Sequence, residues 1–463
     1  MPVDKEKKIA KTVLQVDNEL LENINSLIEN NAEKSLLNIF ADLHSADIAE
    51  IINHLNVDEA KYTFSILDTE TASEVVPDVD ENLREKILKD IDTETITDIV
   101  DELSSDDATD IVSDLPDEVA EQVLENIDKE DAEDVKELLK YDEDTAGGIM
   151  TSNFVYVKED ALVKDAIGEV RKNADEFDNI FHIYVLRHND ELLGTVELKS
   201  LLITPLREDI INILEEDLIT VTPDIDQEEV ANMMDKYDLV SLPVIDKQNK
   251  MLGRITVDDV IDVIQDEASE DIQKIAGLSE EQESSDSIFR ISRIRLPWLI
   301  VALMMELVAA LVLQGYEEYI KSIFIATFFI PVVMAMGGST GTQAAIVMVR
   351  GLSTGDIWIN ESLKMLTKEF FVALLNGVVL SSILLVSVLI MFPRDVLALD
   401  FAYVLAGSLI IIIVIATVVG ASIPVILKKF NTDPAIATGP FVTTTNDILG
   451  LFIYLTIVIL YFF

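Results

Sequence analysis

The chain has 463 residues, no cysteine, and 85 Asp and Glu against 34 Lys and Arg, a formal net charge of −51 at pH 7. That length exceeds one hydrophobic core and predicts several domains. The absence of cysteine excludes disulfides and thiolate metal sites, and the negative charge excludes nucleic acid as a partner.

The charge is unevenly spread. Residues 1–290 hold 75 acids and 25 bases, a charge of −50, whereas residues 291–463 hold 10 and 9, a charge of −1. Cations are the natural partners of such an acidic half, with plain solubility as the alternative reading.

In chain order, the opening "MPVDKEKKIAKTVLQVDNEL" has no long apolar core and does not read as a signal peptide. From Leu43 an aliphatic residue recurs every 12 positions: Leu43, Leu55, Leu67, Val79, Ile91, Leu103, Leu115, Ile127 and Leu139. Units such as "DTETITDIVDE" and "SSDDATDIVSD" open with a capping residue and acids, which suit a helix start. Residues 1–140 therefore predict an acidic α-helical, superhelical domain of short stacked helices. Over 141–267, "GTVELKSLL" at Gly194 and "GRITVDDVI" at Gly253 repeat a Gly, a β-rich run and a helix start. Upstream matches predict two copies of a βαββα unit. Residues 268–292 follow as an acidic connecting helix, with a solvated linker as the alternative.

Residues 293–463 read as a membrane domain of five helical spans, near 296–313, 322–349, 370–392, 401–427 and 441–463. Arg290, Arg293 and Arg295 precede the first span, Arg350, Lys364 and Lys368 separate the second from the third, and Lys428 and Lys429 follow the fourth. The opposite connections carry only Lys321 and Arg394, beside Glu317, Glu318 and Asp395. The positive-inside rule then places the N-terminal half in the cytoplasm and the C-terminus outside a cell membrane.

Two membrane stretches carry chemistry. "FIPVVMAMGGSTGTQAAIVM" places Pro331, Gly337, Gly338 and Gly341 among Ser339, Thr340, Thr342 and Gln343. Such an interruption either lines water or packs helices through small residues. Packing accounts for the glycines but not for the polar cluster, which favours a pore lining. "GPFVTTTNDILG" supplies Thr443, Thr444, Thr445, Asn446 and Asp447. An unpaired carboxylate there costs about 3 kcal/mol, so Asp447 faces a wet cavity or meets a cation. Oxygen-only ligands suit hard cations such as Mg²⁺ or Ca²⁺. The preceding "KKFNTDPAIATGPF" suggests a broken or re-entrant approach.

The order of these parts, with "MGGSTGTQ" and "DPAIATGPFVTTTNDILG", resembles the MgtE magnesium channel family over nearly the whole chain. The resemblance implies tandem CBS domains at 141–267, a connecting plug helix, and a homodimer in the lipid bilayer with its pore between subunits. It implies Mg²⁺ uptake, closed by cytosolic Mg²⁺. Pore ligation falls on Asp447, with Gly337, Gly338, Ser339, Gly341, Thr342, Thr444 and Asn446 lining the path. Regulatory Mg²⁺ falls on Asp226, Glu228, Asp259, Asp262, Glu267, Glu270 and Asp271, and on Asp106 and Asp110 in the helical domain. The chain departs from the family pattern at Ser339, Thr342 and Gly439, where Asn is common. "GRITVDD" also resembles a CBS nucleotide site, in which Thr256 and Asp259 would hold the ribose of ATP. The rivals are an ion-coupled divalent cation carrier and a membrane-tethered CBS sensor without transport. An enzyme is disfavoured: the chain shows no nucleophile–base pair, no phosphate loop and only four His.

Overall fold

The computed structural model describes residues 16–174, 179–278, 287–392, 398–430, 432–437 and 439–463. The N-terminal fifteen residues, residues 279–286 of the expected connecting segment, and Arg394 and Asp395 lie outside the described residues. The chain divides into two compact units, residues 1–265 and 266–463.

The described residues of the first unit open with ten short helices: α1 (Asn18–Glu29), α2 (Glu33–Phe40), α3 (Ser45–Asn53), α4 (Val57–Ser65), α5 (Thr69–Val75), α6 (Glu81–Leu88), α7 (Thr93–Val100), α8 (Ser105–Ser113), α9 (Asp117–Asn126) and α10 (Lys129–Leu138). The 12-residue repeat is one helix and one turn. Leu43, Leu55, Leu67, Val79, Ile91, Leu103 and Leu115 each donate the backbone N–H to the carbonyl three residues back, closing a helix end. Ile127 and Leu139 donate four residues back. The next helix is then capped: Asp68 Oδ1 accepts from Thr71 N at 2.9 Å, and Asp92 Oδ1 from Thr95 N at 3.0 Å. Each such cap contributes about 1 kcal/mol.

Helices this short are not stable alone, so they stack. Odd helices pack on odd, α3 on α5, α5 on α7 and α7 on α9, and α4 packs on α6 and α8 on α10. The buried anchors follow the doubled period: Ile51, Val75, Ile99 and Val123 on the odd helices, and Ile87, Ile111 and Val135 on the even ones.

The paired βα units follow. The first contains β1 (Tyr156–Lys158), α11 (Val163–Lys172), β2 (His182–Leu186), β3 (Leu192–Glu197) and α12 (Leu198–Ile203). Its strands lie in the order β1-β2-β3, with β1 parallel to β2 and β3 antiparallel to it. The second contains α13 (Gln227–Lys236), β4 (Ser241–Ile245), β5 (Met251–Thr256) and α14 (Val257–Ala276), with β4 antiparallel to β5. The strand expected around "LITV" shrinks to one parallel bridge, Val221 to Val244. Two prolines explain this. Val221 N donates to Pro243 O and Ile245 N donates to Val221 O. Extending the ladder needs an N–H from Pro243 at one end and from Pro223 at the other, and proline has none.

A single helix, α14, serves as both the last helix of the second βα unit and the start of the connecting segment. It ends at Gly277, whose φ of +85° and close approach to Pro440 both favour glycine.

Among its described residues, the second unit holds five helices long and apolar enough to cross a membrane. They are α15 (Ile288–Gly315), α17 (Ile330–Ser353), α18 (Ser362–Met391), α19 (Ala398–Lys429) and α20 (Pro440–Phe462), with the short α16 (Glu317–Ser322) after the first. The helices α15 and α18 begin eight residues before the expected spans. Their first turns carry Arg290, Arg293 and Arg295, and Lys364 and Lys368, so hydropathy alone trims them.

The expected break at the glycines is absent: α17 is continuous from Ile330 to Ser353. Pro331 sits in its first turn, where the missing N–H costs no helical bond. The glycines instead permit close packing. A Cβ on Gly420 of α19 would overlap the carbonyl oxygen of Gly341. Before α20 the chain makes one short 3₁₀ turn, Ala435–Ala437, and the helix starts on Pro440.

Candidate cation sites

Asp447 lies on α20, one helical turn beyond Thr443, and both face α17. A Cβ on Gly338 would lie 3.0 Å from Asp447 Oδ1 and 3.1 Å from Thr443 Cγ2. Glycine at 338 therefore leaves room for the carboxylate. Thr443 Oγ1 is 3.1 Å from Thr342 Oγ1, which joins the two polar stretches. Asp447 Oδ1 is buried and has no hydrogen-bond partner among the described residues. Asn446 is fully buried, its amide presses on Gly341, and neither amide atom has a hydrogen-bond partner among the described residues. Gly337 faces the Asn446 carbonyl oxygen. The other expected lining residues differ in placement. Thr444 is buried and its hydroxyl donates to Pro440 O at 2.7 Å, within its own helix. Ser339 is exposed.

A second acidic site forms in the first unit. Ser105 at the start of α8 docks on the segment before β1. Its Oγ is 3.0 Å from Thr151 Oγ1 and accepts from Ser152 N at 2.8 Å. Thr151 N in turn donates to Arg254 O in β5. These bonds bring Asp106 of α8 close enough to Asp259 of α14 to act on its charge. Asp106 Oδ1 is buried without a hydrogen-bond partner among the described residues. Asp259 Oδ2 accepts from both the backbone N–H and the hydroxyl of Thr256, at 3.1 and 2.5 Å.

Burial first, and neighbouring Asp106 second, push Asp107 up to about 6 and Asp259 up to about 7. Asp110 also rises to about 7 through burial, with Arg84 opposing and Asp107, Asp106 and Glu143 adding to it. Desolvated like charges of this kind are relieved by a proton or by a bound cation.

Stability should follow that chemistry. Each carboxyl titrates near 3.8 when unfolded and near 6 or 7 when folded. Between those values the folded state holds more protons than the unfolded one. Stability therefore falls as pH rises through about 4 to 7. In chelator, the full-length protein in detergent should show a soluble-domain melting transition several degrees higher at pH 5.5 than at pH 7.5. Millimolar Mg²⁺ at pH 7.5 should recover the difference, and NaCl of equal ionic strength should not. Melting curves that are flat in both pH and Mg²⁺ would contradict this electrostatic picture.

The connecting helix carries a third set. Lys274 Nζ lies 2.6 Å from Glu270 Oε1 and 2.7 Å from Asp433 Oδ2, tying the end of α14 to the approach to α20. Desolvation opposes the Lys274 charge, but its bonds to Asp433 and Glu270 outweigh that and raise its pKa. Burial and then Asp433 push Asp271 up, while a hydrogen bond with Ser353 opposes them. Of the remaining expected ligands, Asp226 caps α13, its Oδ1 accepting from Glu228 N at 2.9 Å. Asp262 and Glu267 lie on α14, Asp262 exposed and Glu267 half-buried.

Three features escaped sequence reasoning. Asp107 adjoins the expected Asp106 and was legible only as part of an acidic run. Lys274 is the sole base between Gln265 and Phe289, a signal that could have marked it. The exposed carboxylates of Asp101, Asp128 and Asp131 come within 4.8 Å of one another from two adjacent turns and α10, a convergence that depends on the stacking.

Five apolar spans behind an acidic helical stack and a paired βα unit define a multi-pass membrane protein. Comparisons with known proteins agree. Residues 330–457 match the MgtE divalent cation transporter profile, residues 43–144 the MgtE intracellular N domain, and residues 146–205 and 208–266 the CBS domain. The magnesium transporter MgtE of Thermus thermophilus is 34% identical over 324 residues, covering 69% of this chain and 70% of the relative. That of Bacillus subtilis is 34% identical over 317 residues, 68% of this chain and 69% of the relative. A solved soluble part of a magnesium transporter aligns with 28% identity and a TM-score of 0.48, over 54% of this chain and 98% of that one. A cytosolic domain of the Mg²⁺ channel MgtE in complex with ATP aligns with 28% identity and a TM-score of 0.49, over 53% and 100%. The chain belongs to the MgtE family of magnesium transporters. It is a transporter and not an enzyme, and the paired βα units are CBS domains.

Proposed function

We propose that this transporter is a Mg²⁺-selective channel for uptake across the cell membrane, closed by cytosolic Mg²⁺. The observation that carries the reading is Asp447: a buried carboxylate oxygen without a partner, between two helices of an apolar domain. Mg²⁺ sheds its waters reluctantly, so a single carboxylate per subunit suits a largely hydrated ion. The protein works as a homodimer with the pore between subunits, its N-terminal half cytoplasmic and its C-terminus outside.

Gating follows from the acidic groups. At low Mg²⁺, Asp106, Asp107, Asp110 and Asp259 repel one another, as do the acids of the connecting helix. Like charges at this range cost several kcal/mol unless screened. Bound Mg²⁺ removes that repulsion and favours the compact, closed arrangement. It shifts the equilibrium only by its higher affinity for that state. Asp226, Glu228, Asp262, Glu267, Glu270 and Asp271 supply further weak sites, and many weak sites together steepen the response.

Uptake into liposomes, with Mg²⁺, Ca²⁺, Mn²⁺ and Co²⁺ competing, tests the selectivity. Mg²⁺ should enter and outcompete Ca²⁺. Equal uptake of all four ions, or none of any, would contradict it. A nucleotide in the second CBS domain is the second reading, favoured by the adjacency of Thr256 and Asp259. Because Asp106 and Asp258 surround that pair, a triphosphate there needs Mg²⁺ as its counter-ion.

A further inference from the structure

Glu306 is the one acid in the first span, α15, whose other charges are Arg290, Arg293 and Arg295 in its opening turns. An acid at that depth is costly, and such residues mark ion pathways. Its place on the helix is fixed by its neighbours. Ala309, Val312 and Leu313 of α15, and Tyr316 at its C-terminal cap, join the core that Leu451, Tyr454, Leu455 and Val458 of α20 build. Glu306 falls on the same stripe, three, seven and ten residues before Ala309, Leu313 and Tyr316.

The two helices run parallel and in step. Tyr316 Oη meets Thr456 Oγ1 at 3.1 Å, and just beyond, the Tyr319 and Phe463 rings lie 5.3 Å apart. Tyr316 and Thr456 are 140 positions apart. Equal rise along parallel helices therefore sets Glu306 level with Asn446, beside Asp447. The Glu306 carboxylate is indeed close enough to act on the Asp447 charge. Glu306 is exposed on the chain, unlike the buried Ala309 that follows it by one turn.

We propose that Glu306 is a second carboxylate of the cation pathway. It raises the concentration of divalent cations at Asp447 and sets the preference for doubly over singly charged ions. A fixed negative charge acts twice as strongly on a divalent as on a monovalent cation. A side chain level with Asp447 but on a neighbouring helix adds that attraction without taking up the space of the hydrated ion. The proposal rests on the reading of Asp447 as the pore carboxylate.

The test is Glu306→Gln in the full-length protein, reconstituted in liposomes beside Asp447→Asn. Glu306→Gln should raise the Mg²⁺ concentration for half-maximal flux by about three- to tenfold and increase Na⁺ leak relative to Mg²⁺ flux, with an unchanged melting temperature. Glu306→Asp, which keeps the charge, should fall between the two. If Asp447→Asn transports normally, the pore assignment itself fails. If Asp447→Asn is inactive while Glu306→Gln keeps wild-type half-saturation and selectivity, only the role of Glu306 is overturned. Should Glu306→Gln fail to fold, Glu306→Ala decides: wild-type half-saturation and selectivity from a stable protein without the charge would overturn the proposal.

Discussion

Asp447→Asn should abolish Mg²⁺ flux in a protein that still folds. The substitution keeps shape and removes charge. In a two-fold pore both copies change, so the ion loses both attracting carboxylates at once. A divalent ion 4 Å from one carboxylate gains on the order of 8 kcal/mol at an effective dielectric near 20. Even if water screens all but about 2 kcal/mol of this, flux falls about thirtyfold. Folding should be spared, because Asp447 Oδ1 holds no hydrogen bond that the amide would lose. Asp447→Ala should behave alike. Liposome flux measured on protein with wild-type melting and elution checks this, and normal flux through well-folded Asp447→Asn would remove the pore assignment.

The second large effect concerns closure. If the proposed gating holds, joint replacement of Asp259, Asp262, Glu267, Glu270 and Asp271 by Ala should leave the protein conducting at cytosolic Mg²⁺ that shuts the wild type. Asp259 and Asp262, and likewise Glu267, Glu270 and Asp271, have the i, i+3 and i, i+4 spacing on α14 that places side chains on one helix face. Removing them takes away Mg²⁺-mediated attraction in the closed form and repulsion in the open form. At high Mg²⁺ the lost bridges dominate, while low-Mg²⁺ conductance changes little. The geometry divides the set. Asp259 belongs with Asp106, whereas Glu270 and Asp271 sit beside the Lys274–Asp433 pair. Lys274 already supplies a cation to Glu270 and Asp433, so Asp259 and Asp262 should carry more of the Mg²⁺ dependence than Glu270. A variant that closes at the wild-type concentration would make these acids a solvated face.

Much of the fold was legible in the sequence because its signals are local. The 12-residue period reports a helix and its cap, and five apolar runs report five spans. What was not legible depends on contacts distant in sequence. Nothing near "LITV" shows that Pro223 and Pro243 jointly cut its ladder to one bridge. The glycines of "MGGSTGTQ" looked like a break because glycine weakens an isolated helix. Their function appears only once α19 and α20 pack against them. Asp447 stood out as a lone carboxylate before an apolar stretch. Glu306 offered the same signal, but its meaning needed the register between α15 and α20.

Currents through single molecules test gated conduction most directly. Full-length protein in a planar bilayer, with Mg²⁺ as the charge carrier and cytoplasmic-side Mg²⁺ stepped from micromolar to millimolar, should show unitary openings that become rarer as Mg²⁺ rises. Their amplitude should change little beyond the altered driving force. Slow Mg²⁺ flux without unitary steps would identify a carrier, and openings indifferent to cytoplasmic Mg²⁺ would contradict gating by the acidic domains.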